Sequence, residues 1–94
     1  GRTAAFGIRI EYDEAARRAF LTDVIETGPA AGLQRGTELL AIGTTRDTLR
    51  SVEDLMAQGG PAAVAVAFGP AQSGVTRWLR YRERGGTIDT RAFT

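Results

Sequence analysis

The stretch from Thr27 to Gly43, TGPAAGLQRGTELLAIG, constrains the fold of this chain more than any other. Gly28-Pro29 is a turn dipeptide. Pro29 suits a first helical position, where its missing N–H costs nothing. Ala30, Ala31 and Leu33 then offer a short apolar helical face. Arg35-Gly36 stops it, with Gly36 placed to take a positive φ. Leu39, Leu40, Ala41 and Ile42 form an apolar run bounded by Gly43. The run is too short for an ordinary helix and reads as a buried strand.

At 94 residues the chain makes one small domain with a single core. Its 43% apolar content is ordinary for a globular protein, which argues against disorder. A net charge of +1 argues against a dedicated nucleic-acid binder. No apolar run is long enough to span a bilayer. The Gly1-Arg2-Thr3 opening and the Ala92-Phe93-Thr94 ending lead us to expect a piece excised from a longer protein. Cys, His and Lys are all missing from the sequence. Thiol and imidazole chemistry, and the metal sites built on them, are therefore excluded. Every basic side chain is Arg, a poor general base. Carboxylates, Ser51, Ser73, several Thr and two Tyr remain. This set argues against a free-standing hydrolase, so no catalytic residue, metal or cofactor is expected.

Along the chain, Ala5 to Tyr12 alternates, with Phe6, Ile8, Ile10 and Tyr12 on one face and Gly7, Arg9 and Glu11 on the other. It reads as a half-buried strand starting in a glycine-containing loop. A branched residue at Gly7 is expected to leave the fold largely intact. Arg18 to Ile25 reads as its antiparallel partner. Thr44 to Arg50 is a polar loop. Ser51 reads as an N-cap with Asp54 in capping-box position, opening a helical turn that Gly59-Gly60 ends. Pro61 to Phe68 is ambiguous. It alternates like a strand at Val64, Val66 and Phe68, yet a leading proline and four alanines favour helix. Gly69-Pro70 would stop a helix. Val75 to Arg84 and Thr87 to Phe93 read as strands joined by a two-residue Gly85-Gly86 turn.

The Thr27–Gly43 stretch resembles the central segment of PDZ domains. Gly28-Pro29, Ala30-Ala31, Gly32-Leu33, Gly36 and Leu39 to Gly43 carry the match. Thr37 departs from it, where that family usually has Asp, and so does Thr44 after Gly43. The resemblance implies an α+β fold: a small antiparallel barrel or sandwich of five to six strands with two helices. It also implies a long second helix followed by two strands, which decides for helix over 61–68. A peptide groove would lie between that helix and the first strand. The matching loop is Ala5, Phe6-Gly7-Ile8, whose backbone N–H groups would hold a ligand's terminal carboxylate. The edge of Ile8, Arg9 and Ile10 would pair with the ligand backbone. Phe6 and Ile8, with Val64 and Phe68 facing them, would line the pocket for its last side chain. A register slip would exchange the helix pair for Ala63 and Ala67. The same apolar residues would serve equally as plain core.

The glycine pair before an Ala-rich helix, the Gly69-Pro70 stop, the Val75-Thr76-Arg77 strand and the terminal hairpin are more closely similar to PDZ modules of bacterial tail-specific serine peptidases. That resemblance implies a module for protein C-terminal peptides, regulating or feeding a peptidase domain on the same chain in the bacterial cell envelope. The alternative is an interaction or assembly domain with no protease attached, its groove filled by a neighbouring segment. A nucleic-acid partner is not expected. On a strand, Trp78, Arg80, Arg82 and Arg84 share a face opposite Val75, Leu79 and Tyr81, so the arginines form a solvated face whose stems cover Trp78. Asp13-Glu14 and Glu53-Asp54 lack the oxygen spacing of a calcium loop.

Overall fold

The period-two pattern of the opening residues is realised as a hairpin. The computed structural model describes residues 2–69 and 74–94, and of residues 2–4 the backbone alone. Strand β1 (Arg2–Ala5) turns through Phe6-Gly7 into β2 (Ile8–Asp13), which alternates buried and exposed along its length. Strand β3 (Arg18–Val24) returns antiparallel to β2, with a register shift between Arg9 and Ile10. Strand β4 (Glu38–Gly43) pairs β3 through Ala19↔Leu39 and Phe20↔Glu38. A 3-10 turn at Arg46–Thr48 and the two-residue β5 (Arg50–Ser51) lead into helix α1 (Val52–Phe68). Strands β6 (Arg77–Arg82) and β7 (Ile88–Phe93) complete the fold. The sheet order is β1-β2-β3-β4-β6-β7, with β5 branching from β4, and every pairing is antiparallel.

Helix α1 begins as the sequence dictates. The Ser51 hydroxyl accepts a hydrogen bond from the Asp54 N–H (3.0 Å), and Glu53 and Asp54 complement the positive end of the helix dipole. Gly60 breaks the helix at φ 66°, ψ −159°. The ring of Pro61 disfavours α geometry in the residue before it and would clash with a carbonyl one turn back. Pro61 then restarts the helix through Phe68, and the helical choice for 61–68 holds. Gly69 ends it at φ 71°, donating to the Ala65 carbonyl; Pro70 and Ser73 lie outside the described residues. The apolar stripe Val52, Leu55, Met56, Val64 and Phe68 packs onto the sheet.

The small α+β class is as expected, with one α-helix among the described residues rather than two. Pro29 to Leu33 forms two overlapping turns, Ala31 N–H to the Gly28 carbonyl and Leu33 N–H to the Ala30 carbonyl (both 3.2 Å). Gly32 at φ 98° ends the run before an α-helical hydrogen bond can repeat. The Ala5–Tyr12 strand is broken at Phe6-Gly7, and β1 was not expected at all. Gly7 is buried at φ 73°, so a β-branched residue there would strain the turn, contrary to expectation. The final hairpin turns on Arg84-Gly85, with Gly86 N–H donating to the Glu83 carbonyl (2.9 Å), rather than on Gly85-Gly86. Gly85 supplies the positive φ that turn needs.

Candidate functional site

The residues singled out in the sequence converge at the junction of β1, β2 and the end of α1. Phe6 and Gly7 have φ of 52° and 73°, the signs a two-residue hairpin turn of type I′ requires. For a bulky residue such as Phe6 this conformation costs roughly 1–3 kcal/mol and must be held by its surroundings. The Phe6 ring is fully buried, its centroid 6.2 Å from that of Phe68. Phe6 N–H donates to the Gly69 carbonyl (2.8 Å), and the Gly7 carbonyl accepts from Ile25 N–H (2.9 Å). The turn is thus fastened to the C-terminal end of α1 on one side and to the turn entering the Gly28-Pro29 segment on the other.

Phe6, Ile8, Ile10, Val64 and Phe68 all belong to one buried cluster, and Ala5, Ala63 and Ala67 pack against it. Gly7 is buried and Arg9 exposed. Beside them lies β1, antiparallel on β2 with Arg2↔Glu11, Thr3↔Ile10, Ala4↔Arg9 and Ala5↔Ile8 in register. It also packs against α1. The residues flanking a two-residue turn form a hydrogen-bonded pair, and such pairs alternate. The backbone groups of Ile8 and Ile10 therefore face β1. The Arg9 carbonyl faces β3, where it accepts from the Thr22 hydroxyl (3.3 Å). Of the three N–H groups in the Phe6-Gly7-Ile8 loop, those of Phe6 and Ile8 are thus committed within the chain. This edge of β2 is held by a segment of the chain itself, β1.

One residue at this corner escapes sequence reasoning. Arg77, at the start of β6, donates through Nε to the Phe68 carbonyl (2.9 Å) and through Nη1 to the Thr76 carbonyl (3.0 Å). A cation there complements the negative end of the helix dipole. Sequence pattern alone groups it with the other arginines of β6.

Those other arginines are engaged elsewhere. Arg18 binds Glu38 through two contacts of 2.9 Å, and Arg82 approaches the same carboxylate at 3.5 Å. The Arg18 hydrogen bonds hold the Glu38 carboxyl below its ordinary range against the opposing effect of burial. Burial pushes the Tyr81 hydroxyl up. The Arg46 guanidinium lies over Trp78 at 6.0 Å, and Arg80 donates to the Thr90 hydroxyl (3.2 Å). Leu79 and Tyr81 are buried while Arg80 and Arg82 are exposed, the two faces expected of β6. Among the described residues no group of three or more acidic side chains gathers to hold a metal, and no helix is long and apolar enough to cross a membrane. No protein-family model matches the chain, and no curated protein matches it.

Proposed function

We propose that this chain is a peptide-binding domain of PDZ type that captures C-terminal tails by strand addition to β2, in competition with its own β1. The observation that carries this reading is the direction and place of β1. It runs antiparallel to β2 and packs against α1, with its C-terminal residue Ala5 at the Phe6-Gly7 turn. An extended ligand bound to the same edge, with its last residue at that turn, would follow the same course. Withdrawal of β1 frees the backbone groups of Ile8 and Ile10 for the ligand and leaves Gly7, Ile8 and the nearby Arg77 to receive its carboxylate. The segment Gly28–Gly43 supports the PDZ reading. The resemblance to tail-specific peptidases supports delivery of those tails to a peptidase domain on the same chain, in the bacterial envelope. Occupancy of the edge by β1 favours one rival, an assembly domain whose groove is permanently filled.

The test is a titration with one peptide in two forms, ending in a free apolar residue or in its amide. Loss of a charge-assisted interaction is worth about 1.5–3 kcal/mol, so the acid should bind about ten- to a hundredfold more tightly. Equal affinity of the two forms rules out carboxylate capture and leaves recognition of internal segments. Absence of binding by both, even after residues 1–4 are removed, supports the assembly reading instead.

A further inference from the structure

The far edge of the sheet has no occupant among the described residues. Strand β7 pairs only with β6, and among the described residues no strand or helix covers its other side. Its six pairs with β6 run without a bulge, and it contains no proline. Of the devices that normally blunt an edge strand, the bulge and the proline are missing, and what remains is the pair of exposed charges, Asp89 and Arg91. Ile88, Asp89, Arg91 and Ala92 are all exposed, Ile88 to 49%. Neither Asp89 nor Arg91 forms an ion pair among the described residues; the Arg91 guanidinium instead lies 4.9 Å above its own Phe93 ring.

From this edge we infer that β7 pairs with β7 of a second copy of the chain, antiparallel about a two-fold axis at Thr90. The sequence Ile88-Asp89-Thr90-Arg91-Ala92 is self-complementary in that register. Asp89 stands opposite Arg91 of the partner subunit, and the symmetry forms the same pair twice. Ile88 stands opposite Ala92 of the partner subunit on the other face, and the two Thr90 residues meet at the axis. Opposite charges and Thr–Thr pairs directly across an antiparallel ladder are favourable, and like charges there are unfavourable. Sliding the register by two residues sets Asp89 against Asp89 or Arg91 against Arg91. A slip of one residue moves every side chain to the wrong face. Only the Thr90-centred register satisfies both charge and face. The result is a continuous sheet through two domains that leaves β1, β2 and α1 untouched. A contact of one strand is small, so the dimer is weak and salt-sensitive.

Sedimentation equilibrium across a concentration series tests this with wild type, Asp89→Arg, Arg91→Asp and the double exchange. Wild type should associate to a dimer as concentration rises. Each single change replaces two attractions with two repulsions and should lower the association constant about tenfold or more. The double exchange should restore dimerisation. An equimolar mixture of the two single variants should form a heterodimer, since one then carries only arginines and the other only aspartates at the paired positions. A wild type that stays monomeric, or association that is equal in all four proteins, overturns the proposal.

Discussion

The two ends of the sheet are built on opposite plans. At the β1–β2 end the turn is two residues long, strained at Phe6, and fastened to α1 through the Gly69 carbonyl. At the β6–β7 end the connection runs from Glu83 to Thr87, its positive φ falls on Gly85, and β7 buries Phe93 while Ile88, Asp89, Arg91 and Ala92 stay exposed. The first end stores strain and offsets it by burial. The second is relaxed and largely exposed along β7. Strain in a bulky residue persists only where packing over-determines it, so the strained end is where the fold has committed its core.

The largest effect that sharpens this contrast is Phe68→Ala. It removes the ring that faces Phe6 and opens a cavity beneath the strained turn, and should cost about 3–5 kcal/mol in urea unfolding. The matching change at the exposed end, Ile88→Ala, should cost less than about 1 kcal/mol, since half of that side chain is already in water. Similar costs for the two would erase the distinction between the ends.

Glu38 joins the two halves across the middle of the sheet, through Arg18 on β3 and Arg82 on β6. Its folded pKa lies below the ordinary value of 4.5, chiefly because of the Arg18 hydrogen bonds. Its contribution to stability is therefore fully present above that ordinary value and is lost as pH falls through the lower folded value. Glu38→Gln should cost about 1–2 kcal/mol at neutral pH. The gap between variant and wild type should close in acid, over the window from 4.5 down through the lower folded value. A gap that persists unchanged below that window would show that the carboxylate's charge is not what ties the halves together.

Much of the buried end was legible before any coordinates. The alternation of Ile8, Ile10 and Tyr12 names the core face of β2, and the spacing of Val64 and Phe68 names the facing side of α1. Ser51 and the Gly60-Pro61 step punctuate the helix where it starts and kinks. Other features were not legible, for identifiable reasons. Strand β1 is Arg-Thr-Ala-Ala, which has little intrinsic strand preference. Only its pairing with β2 makes it a strand, and that pairing depends on Phe6 taking a φ its side chain disfavours. The Pro29–Leu33 helix failed because Gly32 turns left-handed one residue too early. Arg77 was hidden among arginines until the end of α1 was placed beside it. The core residues of this corner could thus be read from periodicity, but what occupies the β2 edge could not.

On the proposed reading, β1 is an exchangeable occupant of the edge that a ligand tail would take. A binding-competent state populated only in part weakens apparent affinity by that fraction. The direct measurement is the affinity of one peptide with a free apolar C-terminus for the intact chain and for the chain lacking residues 1–4, with thermal unfolding to confirm that both are folded. If β1 covers β2 nine-tenths of the time or more, removing it should tighten binding by about tenfold or more. Unchanged or weaker affinity in a folded, truncated chain would contradict the claim and make β1 a fixed part of the sheet.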